Sequence, residues 1–252
     1  MKNRGFAANG RAAASRILLL FVLLAGLFAC RQQENHHDEN DPPMTTDFLA
    51  LGDSYTIGEG VEEADRWPVL LQDSLVRHGL ELGQPQIIAR TGWTTGELLA
   101  AIREAGPEGP YALVSLLIGV NNQYRGPLRG FTTEGYTREF NELLGIAIGL
   151  AGGDPQRVLV VSIPDYSVTP FVPADQKQRV AREIDDYNRI NRELSQQAGA
   201  RYADITPLSR QAATDPSLLA ADQLHPSGRM YRQWLQLLVP EARRALDTEE
   251  AR

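Results

Sequence analysis

Short apolar runs alternate with longer amphipathic stretches through most of the chain. The runs have the length of β-strands, and the stretches have the spacing of helices that bury one face. The five predicted strands cover residues 47–51, 86–89, 111–118, 157–163 and 201–205. The five predicted helices cover residues 67–77, 95–104, 134–150, 174–198 and 228–246. This alternation predicts an α/β fold, a three-layer α/β/α sandwich around a mostly parallel sheet of about five strands.

The third and fourth runs are apolar at almost every position. Residues 112–118 read Ala-Leu-Val-Ser-Leu-Leu-Ile, and residues 158–163 read Val-Leu-Val-Val-Ser-Ile. Strands that are covered by helices on both faces have this composition. Because ligands bind beyond the carboxyl ends of the strands in such sheets, we expect the site residues directly after the strand runs.

The first 29 residues have the pattern of an export signal. Basic residues precede an apolar stretch, too short to span a bilayer comfortably, that ends in small residues at the only cysteine, Cys30. The sequence Leu27-Phe28-Ala29-Cys30 resembles the lipobox of bacterial lipoproteins, in which the cysteine becomes the lipidated first residue. This resemblance predicts a signal peptide over 1–29, a lipid anchor at Cys30 and an exported protein attached to a membrane of the cell envelope. A plain secretory signal and an uncleaved anchor are the alternatives.

Residues 30–46 are predicted to be a flexible tether because they are almost entirely polar. The tether contains the run His36-His37-Asp38-Glu39, but no packed surroundings would fix the geometry of these side chains, so no metal site is predicted. Residues 47–252 have the size of one domain. The formal net charge is -7, and the domain has no Lys/Arg cluster, which argues against a nucleic-acid partner.

Ser54 is the candidate nucleophile. The first strand run stops at Gly52-Asp53-Ser54, which places a hydroxyl at the carboxyl end of a buried strand. Gly-Asp-Ser is also common in ordinary turns. The assignment therefore depends on a base, an orienting acid and oxyanion donors elsewhere in the chain.

His225 is the candidate base, since the domain contains only two histidines. His78 precedes a glycine at the end of a helical pattern, which favours a role at a helix C-terminus. His225 precedes a proline, which favours extended backbone and displays the imidazole from a loop. Asp222, three residues earlier, can orient the imidazole. The alternative is a simple helix-entry turn with Ser227 as its N-cap.

Two residues are candidate oxyanion donors. Gly92 follows the second strand run and offers a backbone N–H, and Asn121 follows the third run and offers a side-chain amide. Each alone is typical of a turn. All of these signals fall on the same edge of the predicted sheet, however, so together they predict one cleft.

In this order the motifs resemble the conserved blocks of the GDSL/SGNH hydrolase superfamily, over residues 47–246. The resemblance implies the flavodoxin-like SGNH hydrolase fold, and the absence of phosphate, dinucleotide and zinc motifs leaves no cofactor implied. The residues it implies for the chemistry are Ser54 as nucleophile, Asp222 and His225 as the rest of the triad, and Gly92, Asn121 and the N–H of Ser54 as oxyanion donors.

The chain departs from the family pattern at two positions. Tyr55 stands where the family has leucine, and we expect it to line the cleft without touching the chemistry. Asn122 stands where aspartate is more usual, and we expect weaker support of the local loop with activity retained. The chain has no Gly-x-Ser-x-Gly elbow, phosphate loop, dinucleotide-binding glycine motif or His-Glu-x-x-His helix.

The predicted function is serine-dependent hydrolysis of carboxylic esters through an acyl-enzyme intermediate. Acetylated glycans, lysophospholipids and small acyl esters are all open as substrates. The alternatives are acyl transfer by the same residues and a non-catalytic, glycan-binding surface lipoprotein. Four aromatic residues after strand runs are candidates for the substrate walls: Trp93, Tyr124, Tyr166 and Phe171. The sequence does not predict the oligomeric state.

Overall fold

The computed structural model describes residues 47–126 and 130–247. Its centre is a five-stranded sheet with the order β2-β1-β3-β4-β5, in which every pairing is parallel. The strands are β1 (Phe48–Gly52), β2 (Pro85–Ala89), β3 (Leu113–Leu117), β4 (Val158–Val161) and β5 (Arg201–Ala203). The predicted signal peptide, the tether and the lipidation site Cys30 lie outside the described residues.

Eight α-helices connect and flank the strands in the described part of the chain. They are α1 (Ser54–Ile57), α2 (Trp67–Arg77), α3 (Thr95–Ala105), α4 (Val120–Arg125), α5 (Thr133–Leu150), α6 (Lys177–Ala198), α7 (Thr206–Ser209) and α8 (Gly228–Leu246). The five long helices agree with the predicted ones. Helix α6 begins three residues later than predicted, because the N–H of Gln176 bonds to the Pro173 carbonyl in a preceding turn.

Two groups of helices cover the sheet. Helix α2 packs against α8, while α3 and α6 pack against α5. Strands β1, β3 and β4 are buried at every residue, as expected for strands covered on both faces. The largest fully buried side chains come from both groups, with Trp67 and Trp234 in one and Tyr136 and Phe140 in the other. The predicted α/β/α sandwich is confirmed.

The strand order creates a crevice at one edge of the sheet. Strand β1 lies between β2 and β3, so the connections that leave β1 and β3 run to opposite sides of it. Ligands in open α/β sheets bind at such a point, outside the carboxyl ends of the strands. Within the described residues, no helix combines the length and hydrophobicity needed to cross a bilayer.

Candidate active site

A tight strand-to-helix turn holds Ser54 at this edge of the sheet. Asp53 caps α1 by accepting a hydrogen bond from the Tyr55 N–H at 3.0 Å. A Cβ on Gly52 would overlap the Thr56 side chain and the Leu117 carbonyl, so only glycine fits there. Ser54 is the first residue of α1, and the first N–H groups of a helix have no partner within it. The turn therefore presents both the hydroxyl and the N–H of Ser54.

Asp222 holds the imidazole of His225. The Oδ2 atom of Asp222 lies 2.6 Å from His225 Nδ1, and its Oδ1 atom accepts the backbone N–H groups of Leu224 at 2.9 Å and His225 at 3.0 Å. Burial raises the pKa of Asp222, but these hydrogen bonds outweigh burial, and the pKa lies below its usual value. An ionised carboxylate at Nδ1 keeps the ring proton there, which leaves Nε2 as the basic nitrogen.

The loop that carries this pair is fixed by its own backbone. Leu219 and Pro226 form an antiparallel bridge, and the Ala220 N–H bonds to the His225 carbonyl at 2.8 Å. Gln223, between Asp222 and His225, has φ of 59°, a backbone conformation that residues other than glycine seldom adopt. Ser227 is the N-cap of α8, so the capping role considered for this segment exists beside the Asp222–His225 pair and does not replace it.

Asn121 contacts the loop after β2, which contains Gly92. Asn121 Nδ2 donates to the Trp93 carbonyl at 2.9 Å, which leaves the second N–H of the amide for another acceptor. Arg125 Nη2 donates to the Gly92 carbonyl at 2.6 Å. Gly92 has φ of 87°, in the left-handed region that favours glycine. Two side chains of α4 thus fix the peptide groups around the candidate donor Gly92.

The predicted residues come together in one pocket of about 140 Å³. Its walls include Ser54, Gly92, Asn121 and His225. Asp222 lies behind His225, in contact with the ring nitrogen that faces away from Nε2. The geometry brings together all the residues that the sequence assigned to the chemistry, and their roles remain predictions.

Tyr55 lines the pocket, as expected, and its ring also contacts the candidate base His225. Its ring packs edge-on against the His225 ring, with the centroids 5.6 Å apart. The Tyr231 hydroxyl donates to the Tyr55 carbonyl at 3.0 Å, which holds this residue from α8. Tyr55 therefore limits the positions that the imidazole can take.

The loop at Asn122 is well supported, contrary to the expectation from its sequence. Asn122 Oδ1 accepts the Thr95 N–H at 3.0 Å, and its Nδ2 donates to Thr95 Oγ1 at 2.7 Å. The Thr95 hydroxyl in turn donates to the Glu139 carboxylate. An aspartate has no N–H and could not donate to this hydroxyl. Asparagine at this position can therefore donate to the Thr95 hydroxyl while that hydroxyl donates to Glu139.

Asp53 is a buried carboxyl next to the candidate nucleophile. Burial raises its pKa to about 7, and the hydrogen bond from the Tyr55 N–H acts in the opposite direction. Two of the buried side-chain atoms that have no hydrogen-bond partner in the described part of the chain, Asp53 Oδ2 and Thr56 Oγ1, lie in this turn. The α1 turn thus holds a carboxyl group whose protonation changes near neutral pH.

The remaining candidates have different positions. Tyr124, Tyr166 and Phe171 line the pocket, as proposed for the substrate walls. Trp93 packs against the hydrophobic core and contributes its carbonyl to Asn121. His78 is the C-cap of α2, with Nδ1 2.6 Å from the Ser74 carbonyl. No cluster of three or more metal-ligating side chains occurs in residues 47–126 and 130–247.

Sequence reasoning missed Arg125 and the contact between Thr95 and Glu139. Asn121 and Arg125 are four residues apart, and residues with this spacing lie on the same face of a helix. That spacing would have identified Arg125 if the short helix α4 had been predicted. Glu139 follows Thr95 by 44 residues and has no local signal.

Comparison with known proteins agrees with this fold. The profile of the GDSL-like Lipase/Acylhydrolase family matches residues 50–233. Among solved structures, TesA is 20% identical with a TM-score of 0.62, covering 79% of this chain and 99% of its own. Axe2, an acetyl xylan esterase from Geobacillus stearothermophilus, is 18% identical with a TM-score of 0.59, covering 79% of this chain and 95% of its own.

The psychrotrophic esterase EstA from Pseudoalteromonas sp. is 17% identical with a TM-score of 0.58, covering 81% of this chain and 100% of its own. Identities this low show a shared fold. No curated protein sequence matches the chain significantly. The family profile spans most of the folded region, from the middle of β1 into α8. The resemblance read from the motifs is therefore confirmed, and this chain belongs to the GDSL-like lipase/acylhydrolase family.

Proposed function

We propose that this protein is a serine esterase that hydrolyses carboxylic esters through an acyl-enzyme formed on Ser54. The observation that carries the proposal is the 2.6 Å contact between Asp222 and His225 beside a pocket that His225 shares with Ser54. A carboxylate, an imidazole and a hydroxyl in this arrangement are the parts that nucleophilic acyl transfer requires.

In the first step, His225 Nε2 takes the proton of Ser54 as Oγ attacks the ester carbonyl carbon. The carbonyl oxygen becomes an oxyanion, which accepts hydrogen bonds from the N–H groups of Ser54 and Gly92 and from Asn121 Nδ2. Asp222 stabilises the imidazolium that results. The imidazolium then protonates the alcohol oxygen as its bond to the carbonyl carbon breaks, and the alcohol leaves.

In the second step, water hydrolyses the acyl-enzyme. His225 Nε2 takes a proton from the water as its oxygen attacks the acyl carbon, and the same donors hold the second oxyanion. The bond to Ser54 Oγ breaks, the hydroxyl regains its proton from His225, and the carboxylic acid leaves. Apart from the ester and water, both steps use only groups of this chain.

The decisive experiment compares two serine-to-alanine variants. Ser54→Ala should abolish hydrolysis of p-nitrophenyl acetate and labelling by a fluorophosphonate probe. Ser115→Ala is the matched control, because Ser115 is a buried serine outside the pocket and its hydroxyl has no hydrogen-bond partner. Turnover or labelling retained in Ser54→Ala would refute the assignment. A wild-type protein that neither reacts with the probe nor hydrolyses esters would favour the non-catalytic binding alternative.

The substrate class is a separate part of the proposal. Axe2 is described as an acetyl xylan esterase, which makes acetylated glycans a candidate class for this family member. Lysophospholipids and small acyl esters are the other candidates.

We also propose that the mature protein is exported and attached to a membrane through lipid on Cys30. The lipobox-like sequence supports this proposal. Cys30→Ser should move the protein from the membrane fraction to the soluble fraction. Unchanged membrane attachment of the variant would contradict the anchor.

A further inference from the structure

A second and larger cavity adjoins the candidate catalytic pocket. It encloses about 500 Å³, against about 140 Å³ for the pocket that contains Ser54. Three aromatic residues line both cavities: Tyr124, Tyr166 and Phe171. Small-molecule sites usually enclose ~300–1,000 Å³, so the larger cavity has the size of a ligand site and the smaller one does not.

The three rings form a cluster that is open on one side. The centroid of Phe171 lies 5.9 Å from that of Tyr124 and 6.3 Å from that of Tyr166. Tyr166 is almost fully buried, but Tyr124 is 58% exposed and Phe171 49% exposed. Folding of the chain alone does not require adjacent aromatic rings to be exposed beside a cavity. Their exposure therefore indicates a surface that contacts another molecule.

A chain of hydrogen bonds lines the other side of the cavity. The Tyr166 hydroxyl donates to Gln123 Oε1 at 2.8 Å, and Gln123 Nε2 donates to Glu183 at 2.7 Å. Arg179 donates to both carboxylate oxygens of Glu183 at 2.9 Å and to Gln176 at 3.1 Å. A guanidinium has five N–H donors, so Arg179 retains capacity for a further acceptor.

The two arginines that line the cavity are each paired with a carboxylate. Arg179 is paired with Glu183, and Arg125 is paired with Glu97 at 3.1 Å. An anionic guest would have to compete with these carboxylates. A long alkyl chain would cover the Arg179–Glu183 pair and remove water from it without replacing its hydrogen bonds, which is costly. The cavity is therefore suited to a neutral guest that has both hydrogen-bonding groups and an apolar face.

We propose that the larger cavity is a subsite for the alcohol part of the ester, that this part is a neutral hydroxylated ring such as a sugar, and that the acyl group is short. A sugar ring offers hydroxyls to Arg179 and Gln176 and a C–H face to Phe171 and Tyr124. The small pocket at Ser54 then receives the acyl group. This inference rests on the proposed esterase function.

The first test compares esters that share the acetyl group but differ in the alcohol. The probes are methyl 6-O-acetylglucoside and p-nitrophenyl acetate, and the measured quantity is the ratio of their kcat/KM values. Phe171→Ala and Arg179→Ala should each lower this ratio about tenfold, the effect of about 1.4 kcal/mol in the transition state. An unchanged ratio in both variants would overturn the subsite.

The matched control for the arginine is Arg189→Ala. Arg189 is on the same helix, is similarly exposed and pairs with Glu193 at the same i,i+4 spacing, but it does not line the cavity. This variant should keep the wild-type ratio. An equal fall in Arg189→Ala would attribute the effect to loss of a helix-surface ion pair and overturn the subsite.

The second test holds the alcohol constant and changes the acyl length. The wild-type protein should hydrolyse p-nitrophenyl acetate with a kcat/KM at least about tenfold above that for p-nitrophenyl dodecanoate. A preference for the dodecanoate, lost in Phe171→Ala, would assign the cavity to a fatty acyl chain and overturn the proposal.

A binding measurement separates this inference from the esterase function. Saturation-transfer NMR with methyl glucoside and the full-length Ser54→Ala variant reports occupancy without turnover. Ser54-dependent hydrolysis of p-nitrophenyl acetate without binding of the glucoside overturns the subsite alone. Binding that Phe171→Ala abolishes, in a protein that hydrolyses no ester, would show a sugar-binding cavity but overturn the esterase function and, with it, the assignment of this cavity to the alcohol part of an ester.

Discussion

Asn121 and Arg125 lie one turn apart on α4 and donate to consecutive carbonyls, Asn121 to Trp93 and Arg125 to Gly92. The loop after β2 is therefore held by the helix that supplies the second candidate oxyanion donor. The two candidate donors, Gly92 N–H and Asn121 Nδ2, are coupled through this contact. A substitution of Arg125 should therefore weaken stabilisation of the oxyanion, although the Arg125 guanidinium itself donates to the Gly92 carbonyl.

Arg125→Met should lower kcat for p-nitrophenyl acetate by between roughly tenfold and a hundredfold, because a small displacement of an oxyanion donor is costly in the transition state. KM should change much less. The control is Arg103→Met, which removes an exposed arginine that pairs with Glu142 away from the pocket. Equal losses in both variants would show that the effect is not specific to the Gly92 loop.

Asn122→Asp should lower the free energy of unfolding by about 1–3 kcal/mol, the cost of leaving a buried polar group without its partner. The aspartate cannot donate to Thr95 Oγ1 and adds a charge near the Glu139 carboxylate. Adding Glu139→Gln should restore part of the loss, because the glutamine amide can donate to the threonine while the threonine donates to the aspartate. Urea denaturation of the two single variants and the double variant measures this coupling, and strictly additive effects would contradict the hydrogen-bond directions given above.

Asp222→Asn should reduce kcat/KM by up to about 10⁴-fold, since the amide would favour the wrong imidazole tautomer. The loss should remain smaller than that in Ser54→Ala, because the nucleophile and the oxyanion donors remain. Asp215→Asn is a useful control in the neighbouring loop, where the carboxylate bonds to Ser217 and Arg229. The two kcat/KM values and circular dichroism decide the outcome, and near-wild-type activity in Asp222→Asn would remove the aspartate from the triad.

Asp53 should make the stability depend on pH. Its pKa in the folded protein, about 7, is raised by burial above the usual value of 3.8, so folding favours its protonated form. The stability from this group is fully present below about pH 3.8 and is lost as the pH rises through about 7, by at most about 4 kcal/mol. Asp53→Asn should remove this decline.

The measurement is urea denaturation of the wild-type protein and the variant at several pH values between about 4 and 8. The control is Asp186→Asn, which changes an exposed carboxylate of α6. Parallel pH profiles of the wild-type protein and Asp53→Asn would show that Asp53 does not titrate in this range.

The strands of this fold could be predicted because most of them are buried on both faces. Strands β1, β3 and β4 have no exposed residue, so their sequences are nearly continuous apolar runs. The short helices α1 and α4 contain four and six residues, which is too few for a helical period to appear. Their positions follow from caps and contacts with other loops, such as the Asp53 cap of α1.

The site could be predicted to the extent that its residues follow strand ends. Ser54, Gly92 and Asn121 each come soon after an apolar run, and His225 stands beside a proline before the last helix. The contacts that orient these residues, in contrast, join positions that are far apart in the sequence. Asn122 and Thr95 are 27 residues apart and meet only because α3 and α4 pack at the same sheet edge. No local pattern encodes that distance.

The aromatic rings shared by the two cavities have a kinetic consequence under the proposed mechanism. Tyr124, Tyr166 and Phe171 border the catalytic pocket and the larger cavity alike, so an alcohol released into the larger cavity lies beside the acyl-enzyme. An alcohol that stays in the larger cavity can reverse the first step. A second alcohol that enters before water would receive the acyl group. The residence time of a hydroxylated ring against Phe171 would thus set the partition between hydrolysis and transfer.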